Sequence, residues 1–322
     1  MLVRVETGAR LHMGFVDLHG GLGRRFGSLG VGLKKPQLIL EATPAAELTS
    51  EGPGAKRALG FARRFYEAFG SPTEKAPSAA HIRVVQTIPP HVGLGSGTQL
   101  ALGIGVALAR LSGVEAQVSD LAVALGRGRR SRIGIGSFEV GGFIVDGGRR
   151  VDGETLPPII LRRTLPPDWL FVVVTPHVEP GLSGQVEDQA FDDLARPSEE
   201  RAGQIARLLM MRMLPTLIEN DIEQFGAAVT EVQRLVGDSF APVQGGRYAN
   251  RTSGRLIEDL LRLGAVGAGQ SSWGPTVYGL VRGDSAARAL KRQLEDRPYG
   301  ERLTVHVSEA SDQGARVTEL RC

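Results

Sequence analysis

The sequence predicts an α+β protein of two domains, and three observations lead to that prediction. The chain has 322 residues, of which 42% are hydrophobic, so it is long enough for two buried cores. Extended apolar runs and amphipathic helical patterns follow one another along the chain. A proline-punctuated stretch, 156–167, interrupts them near the middle. We therefore place the domain boundary there and expect one domain at 1–160 and the other at 161–322.

The predicted elements follow in chain order. The first strands lie at 2–5 and 31–40, and an amphipathic helix at 57–69 precedes a surface linker at 71–80, which is rich in small and polar residues. The later predictions are an extended run at 82–88, a helix of small residues at 100–111, a helix capped at Ser119–Asp120 and running to 127, strands at 143–146 and 170–175, a helical pattern over 199–236, a helix at 285–294 and a last strand at 303–307.

Composition excludes several classes of protein. The net charge is +3, from 38 basic and 35 acidic residues, and no basic helix face interleaved with aromatic residues is present, so we expect no nucleic-acid partner. Charged residues interrupt every apolar segment, which predicts neither a membrane span nor a secretory leader. The single cysteine, Cys322, is the last residue and provides no disulfide framework. We expect a cytoplasmic protein.

The stretch 89–99, with the sequence PPHVGLGSGTQ, carries the clearest chemical signal. A strand, a glycine turn and a helix in this order direct free backbone N–H groups and the positive end of the helix dipole at one point, which favours an anion. Ser96 and Thr98 can cap the helix or bind the same anion. The loop is neither a P-loop nor a complete dinucleotide fingerprint. It predicts a phosphate site, and the alternative is a structural turn that binds nothing.

A second stretch, 7–30, places ionisable side chains between glycines. Arg10 and His12 fall on one face of a strand, opposite two apolar residues. His12 is therefore a candidate catalytic residue, and a hydrogen-bonded structural histidine is the alternative. Asp17 is a candidate for holding a divalent ion or orienting a hydroxyl, and a turn residue is its alternative.

Two later stretches also combine glycines with functional side chains. Segment 126–148 begins with a basic cluster and a glycine turn, which indicates backbone close to a ligand. Segment 264–281 contains Trp273, whose planar ring could stack on an aromatic ligand or fill the core at a domain seam. The Met-rich run 208–214 favours core or dimer packing over a cofactor site.

These motifs together resemble a known group of enzymes. The proline pair at 89–90 and the run Gly93–Gly97 resemble the P-x-x-x-G-L-G-S-S-A loop of the GHMP small-molecule kinase superfamily, which wraps nucleotide phosphates. Further blocks narrow the resemblance to the β-ribofuranosylaminobenzene 5′-phosphate synthase family. These blocks are RLH at 10–12, DL at 17–18, LGR at 22–24, VGLGSGTQ at 92–99, GGFIVDGG at 141–148 and GQSSWGPTVYG at 269–279.

The resemblance implies both a fold and an activity. The fold is GHMP-kinase-like, with an N-terminal domain similar to ribosomal protein S5 domain 2 and a C-terminal ferredoxin-like α+β domain. The activity is that of a pentosyltransferase, which joins phosphoribosyl pyrophosphate to 4-aminobenzoate or 4-hydroxybenzoate with loss of carbon dioxide and pyrophosphate, on the route to methanopterin. The small-molecule substrates imply Mg²⁺ as cofactor and no ATP, and family habit implies a homodimer.

One departure from the kinase pattern bears on the alternative function, an ATP-dependent small-molecule kinase. Many kinases of the superfamily carry Ser-Gly-Ile-Asp before a Gly-Gly pair, whereas this chain has Ser131-Arg132-Ile133-Gly134 there. Gly134 cannot accept a proton from a hydroxyl, which disfavours phosphoryl transfer without excluding it.

The implied reaction assigns candidate roles to residues of these motifs. The catalytic candidates are His12, Asp17 and Arg24, and the magnesium candidates are Asp17 and Glu139. The candidates for binding pyrophosphate are Gly93, Leu94, Gly95, Ser96, Gly97, Thr98 and Arg132. The candidates for seating the aromatic ring are Ser271, Ser272 and Trp273.

Overall fold

The computed structural model describes residues 1–70, 79–153, 155–179, 181, 184–192, 194 and 197–320. The linker predicted at 71–80 lies largely outside these residues, and so does Cys322. Within the described residues the chain forms two antiparallel-rich sheets that are flanked by helices. The predicted α+β class is therefore confirmed.

The first sheet is built around two long neighbouring strands, which pair antiparallel from Val3–Ala42 to Asp17–Phe26. Its strands are β1 (Leu2–Asp17), β2 (Arg24–Pro44), β3 (Thr49–Glu51), β4 (Ala80–Gln86), β5 (Phe143–Asp146), β6 (Arg149–Arg150), β7 (Ile159–Arg163) and β12 (Arg316–Leu320). The main path runs β12-β1-β2-β4-β3, with β5 and β6 paired to β2 and β7 paired to β5. Alternate residues of β1 are buried, as expected for a strand with one face on the core.

Helices α1 (Ala55–Phe69), α2 (Ser96–Ser112) and α4 (Ile133–Glu139) pack on this sheet, and α3 (Val118–Ala124) packs against these three helices. Helix α2 is buried along most of its length, and its small residues let neighbouring side chains approach closely. A Cβ placed on Gly103 would lie 3.0 Å from Leu40 Cδ2 of β2, so this glycine allows the helix to rest on the sheet. The buried position of α2 fixes the direction in which its N-terminus points.

The strands of the second sheet are β8 (Trp169–Pro176), β9 (Gly267–Gln270), β10 (Val277–Arg282) and β11 (Leu303–Glu309). Their order is β11-β8-β10-β9, with every neighbouring pair antiparallel. The helices of this half are α5 (Gln185–Asp192), α6 (Glu199–Leu208), α7 (Leu214–Glu219), α8 (Ile222–Gln244), α9 (Arg251–Arg262) and α10 (Asp284–Glu295), with a π-helical turn, Leu209–Met213, between α6 and α7.

Several details differ from the sequence prediction. The helix predicted to be capped at Ser119–Asp120 begins with Gln117 as its N-cap, because Asp120 is the third helical residue of a capping box. It ends at Ala124 rather than at 127, since Gly126 has a φ of 69°. The helical pattern over 199–236 is three helices and a π-helical turn. Helices α4, α5 and α9 and the short strands β3, β6, β7, β9 and β12 were not predicted.

The Met-rich run is only partly a core element. Leu209 and Met213 are buried, whereas Met210 and Met211 have 59% and 73% of their surface exposed. The homodimer stays a prediction. The domain boundary at residue 160 also stays a prediction. Strand β7 crosses this boundary and β12 lies on its C-terminal side, yet both strands belong to the first sheet. Among the residues described, no helix has the length and apolarity needed to cross a membrane.

Candidate active site

The glycine loop forms one wall of a cleft of about 840 Å³ at the N-terminus of α2. Gly95 is the N-cap residue, with a φ of 77°, and no side chain caps the helix. The Gly95 carbonyl accepts hydrogen bonds from the N–H groups of Thr98 and Gln99, at 3.1 and 3.2 Å. The first turn therefore leaves the N–H groups of Ser96 and Gly97 free of intrahelical partners, as at any helix start. The helix end remains available for an anion, and Ser96 and Thr98 do not cap it.

Glycine is required at two positions of this loop. A Cβ on Gly93 would lie 2.2 Å from the Ser271 carbonyl oxygen, and a Cβ on Gly95 would lie 2.9 Å from Arg10 Cγ. Both glycines also have a positive φ, which other residues adopt only with strain. The loop is thus fitted between the β1 strand and the turn after β9. Leu94 is buried in the core beneath it, 1% exposed, and acts through its backbone.

Arginines dominate the cleft. The arginines that line it are Arg10, Arg57, Arg64, Arg127, Arg129 and Arg130, and the single carboxylate among the described lining residues is Glu187. Glu187 pairs with Arg130 at 3.3 Å. Burial lowers the pKa of Arg10 to about 10, and burial together with neighbouring arginines lowers the pKa of Arg127 to about 10. The cleft therefore carries more positive charge than its described residues neutralise, which favours an anionic ligand.

A smaller cavity of about 40 Å³ adjoins the cleft, and Ser272 and Trp273 line both. Its walls include the aromatic side chains of Phe15, Phe240, Trp273 and Tyr248. The structure thus brings an arginine-rich cleft and an aromatic pocket together at one turn of the chain.

His12 lines the aromatic pocket and is 5% exposed. Burial, with a smaller contribution from Arg10, lowers the pKa of His12 to about 3, so the imidazole is neutral at physiological pH. Its Nε2 atom is buried and has no hydrogen-bond partner among the described residues. Its ring centroid lies 4.6 Å from that of Phe15. A buried, neutral and unpartnered ring nitrogen is suited to a hydrogen bond with a substrate.

The three residues predicted to seat the aromatic ring have different positions. Ser271 is fully buried and lines neither cavity: its Oγ accepts from the His12 N–H at 3.0 Å and donates to the Gly93 carbonyl at 2.7 Å. Ser272 lines both cavities with a φ of 55°. Trp273 also lines both, but it is only 6% exposed and packs edge-on against Phe240 and Phe191.

Asp17 and Arg24 lie outside both cavities among the described residues. Asp17 Oδ1 accepts from the N–H groups of His19 and Gly20, at 2.7 and 2.8 Å, and so stabilises the turn between β1 and β2. Arg24 donates to the carbonyls of Gly147 and Gly148, at 2.7 and 2.8 Å. These contacts give both side chains a structural role, and their catalytic roles stay predictions that the geometry does not support.

Arg132 and Glu139 pair with each other, with Arg132 Nη2 3.3 Å from Glu139 Oε2, and neither lines the cleft. Nowhere in the described part of the chain do three or more His, Cys, Asp or Glu side chains group as metal ligands would. The two predicted magnesium ligands have different partners among the described residues: Asp17 accepts from the N–H groups of its own turn, and Glu139 pairs with Arg132. Their metal role and the pyrophosphate role of Arg132 stay predictions.

Several functional candidates were missed by sequence reasoning. Arg57 belongs to an amphipathic helix, and nothing in that pattern distinguishes it from the other exposed basic residues. Arg127 and Arg129 lie in the basic, glycine-rich cluster that signalled a ligand, so the segment was noticed but not its individual residues. Tyr248 lies after α8 in a stretch that carries no motif.

The structure also shows where Gly134 lies. It is the second residue of α4, and a Cβ there would be 3.2 Å from Thr98 Cγ2 on α2. The Gly134 carbonyl accepts a hydrogen bond from Gln99 Nε2 at 2.8 Å. The position at which the kinase pattern has aspartate is thus beside the first turn of α2.

The fold and the loop define a member of the GHMP kinase superfamily. Residues 56–138 match the model of the GHMP kinases N terminal domain, and residues 213–300 match that of the GHMP kinases C terminal domain. Homoserine kinase from Cytophaga hutchinsonii superposes with a TM-score of 0.66, at 18% identity over 98% of this chain and 97% of that chain. Lactococcus lactis galactokinase, complexed with galactose, gives 0.69, at 13% identity over 98% and 95%. These likenesses show the GHMP kinase fold.

Sequence relatives narrow the assignment. The β-ribofuranosylphenol 5′-phosphate synthase of Methanothermobacter thermautotrophicus is 34% identical over 298 residues, 86% of this chain and 88% of the relative. That of Archaeoglobus fulgidus is 31% identical over 328 residues, 98% and 99% of the two chains. A 4-diphosphocytidyl-2-C-methyl-D-erythritol kinase from Symbiobacterium thermophilum is 32% identical over 266 residues, which are 80% of this chain and 78% of the relative.

The chain belongs to the β-ribofuranosylphenol 5′-phosphate synthase family. The predicted family, the GHMP-kinase-like fold and the prediction of a transferase enzyme are confirmed.

Proposed function

We propose that the enzyme transfers the ribosyl 5-phosphate group of phosphoribosyl pyrophosphate to 4-hydroxybenzoate or 4-aminobenzoate. The bond between the anomeric carbon and the diphosphate oxygen breaks, and a bond forms from that carbon to the ring carbon bearing the carboxylate. The carboxylate then leaves as carbon dioxide, and its bonding electrons return to the ring. No net proton is needed, so the products are the C-riboside 5′-phosphate, carbon dioxide and pyrophosphate, on the route to methanopterin.

The observation that carries the proposal is the junction of the two cavities at Ser272 and Trp273. The reaction needs an anionic donor and an aromatic acceptor in contact at one carbon atom. A cleft rich in arginine meets a pocket walled by aromatic side chains at this turn. Holding the two substrates in this relation lowers the entropic part of the barrier.

The arginine cleft and the N-terminus of α2 fit the electrostatic demand of the first step. Negative charge develops on the departing diphosphate as the anomeric carbon becomes cationic. Positive groups that are already in position stabilise that charge without reorganising at the moment of reaction.

The neutral His12 fits the demand of the second step. Its unpartnered Nε2 can accept a hydrogen bond from the para hydroxyl or amine of the acceptor. This bond would increase electron donation into the ring, towards the carbon that attacks. A protonated imidazole could only donate, so the low pKa of His12 is required for this role.

Magnesium remains a prediction and would reach the site bound to the diphosphate. The described lining residues supply one carboxylate, Glu187, and that group is paired with Arg130. This donor set does not fit a cation held by the protein alone, and we derive no step through a metal.

Incubation with phosphoribosyl pyrophosphate, Mg²⁺ and carboxyl-labelled 4-hydroxybenzoate or 4-aminobenzoate tests the proposal. We expect labelled carbon dioxide without ATP. The alternative is a small-molecule kinase, favoured by the fold and by the 32% identity to a diphosphocytidyl-methylerythritol kinase. ADP formation with an alcohol substrate, together with no release of carbon dioxide, would select that alternative.

A further inference from the structure

We propose that Arg57 and Arg127 form a clamp for the diphosphate of the ribosyl donor at the N-terminus of α2. The inference rests on the proposed function, because it names the residues that hold the leaving group of that reaction.

Two separate elements bring these guanidinium groups to one point. Arg57 is in the first turn of α1, and Arg127 follows α3. A Cβ placed on Gly97, the second residue of α2, would lie 3.3 Å from Arg57 Nη2 and 3.4 Å from Arg127 Nη1. Both cations therefore converge on the helix turn whose N–H groups lack intrahelical partners. The missing side chain at Gly97 leaves room for a ligand between them.

The described residues leave the charges of the two arginines largely unpaired, because Glu187 attracts Arg127 but makes its ion pair with Arg130. No described carboxylate lies within 4 Å of either guanidinium group, and Arg127 Nε is buried without a hydrogen-bond partner. Arg127 lies over the ring of Phe61, 4.9 Å from its centroid, which holds the side chain without removing its charge. Burial of an unpaired cation is costly. An anion with several oxygens offsets this cost for both side chains.

Of the donor's two anionic groups, the diphosphate suits this place better than the 5′-phosphate. The diphosphate gains charge in the reaction, so it benefits most from two arginines and a helix N-terminus. It also has enough oxygen atoms to engage both guanidinium forks together with the backbone N–H groups. The charge of the 5′-phosphate does not change during the reaction, so positive groups around it would not stabilise the transition state more than the ground state.

Calorimetric binding of two probes, inorganic pyrophosphate with Mg²⁺ and ribose 5-phosphate, tests the clamp without catalysis. The variants are Arg57→Met, Arg127→Met and Arg127→Lys, and the matched control is Arg63→Met, an exposed arginine of the same helix α1 that does not line the cleft. We expect each methionine variant to weaken pyrophosphate binding about tenfold or more. Ribose 5-phosphate binding should change less than about twofold, and the control should bind both probes as the parent does.

The lysine variant keeps a charge but loses the planar fork, so its pyrophosphate affinity should fall between those of the parent and Arg127→Met. If Arg127→Met fails to fold, the pyrophosphate affinity of Arg127→Lys tests the clamp instead. Parental pyrophosphate affinity in the folded variants would overturn the clamp, and so would a loss confined to ribose 5-phosphate. Clamp-dependent pyrophosphate binding without carbon dioxide release would overturn the proposed function and leave the clamp standing.

Discussion

The Ser271 hydroxyl donates a hydrogen bond to the Gly93 carbonyl across 178 positions of sequence, at 2.7 Å. The same oxygen accepts from the His12 N–H at 3.0 Å. One fully buried side chain therefore joins three of the four glycine-rich stretches, 7–30, 89–99 and 264–281. It sets the position of the glycine loop relative to the histidine of the aromatic pocket.

Replacing this serine should damage both the fold and the site. We expect Ser271→Ala to lower the free energy of unfolding by about 1–3 kcal/mol, because a buried N–H and a carbonyl lose their partner. Activity, measured as kcat/KM at a temperature at which the variant is fully folded, should also fall at least tenfold.

Ser308→Ala is the matched control, since Ser308 is also buried, accepts from the Lys35 N–H and donates to the Glu309 carbonyl, each at 2.9 Å, outside the site. Equal losses of activity in the two variants would contradict the joining role of Ser271.

Glycine at the N-cap of α2 should be needed for binding and not only for backbone freedom. Gly95→Ala places a Cβ against Arg10, whereas Gly113→Ala, at the other end of the same helix, has a similar φ of 69° and nothing within 4 Å. Both changes should cost about 1–2 kcal/mol of stability from backbone strain. The KM for phosphoribosyl pyrophosphate should rise at least tenfold in Gly95→Ala only. Unchanged KM in both variants would place the donor elsewhere.

His12 should contribute a specific pH dependence to stability. Its pKa is about 3 in the folded protein and about 6.5 in an unfolded chain, so below pH 6.5 the unfolded state takes up a proton that the folded state refuses. The stability that neutral His12 provides is therefore present above pH 6.5 and is lost as the pH falls towards 3.

Urea unfolding at pH 7.5 and 5.5 measures this contribution. The parent should lose about 1.4 kcal/mol more than His12→Gln between these two values, because glutamine does not titrate. The same loss in both proteins would mean that the pKa of His12 in the folded protein lies near its unfolded value, so that burial does not hold the imidazole neutral as the proposed role requires.

Replacing Asp17 by asparagine distinguishes its predicted role as a magnesium ligand from the role in the β1–β2 turn that the structure shows. Asn retains an oxygen that can accept from the N–H groups of His19 and Gly20 but removes the charge that a magnesium ligand requires. We expect Asp17→Asn to need the same Mg²⁺ concentration for half-maximal activity as the parent. A requirement raised tenfold or more would restore Asp17 as a metal ligand.

The sequence was informative where function depends on local backbone chemistry. The loop around Gly95 was predicted because a strand, glycines and a helix start occur within a dozen residues, and the free N–H groups follow from that order alone. His12 was selected because it alternates with apolar residues in a strand. Its low pKa was not predicted, since that depends on burial by residues far along the chain.

Long-range geometry explains what the sequence did not show. Arg57 reaches the cleft only because α1 packs near the start of α2, and no feature of its own helix indicates this. Asp17 and Arg24 lie in motif segments, yet the hairpin turn and the β5–β6 connection occupy their polar groups. For Trp273 the sequence left two interpretations open, a ring that stacks on a ligand and a core side chain. In the structure the ring lines the aromatic pocket and also packs against Phe191 and Phe240.

The stoichiometry of products from phosphoribosyl pyrophosphate and carboxyl-labelled 4-hydroxybenzoate or 4-aminobenzoate decides whether the proposed transfer occurs. We expect one labelled carbon dioxide for each pyrophosphate released, in the absence of ATP, and a ribosylated ring without its carboxylate. Pyrophosphate release without carbon dioxide, or retention of the label on a ribosyl ester, would contradict it.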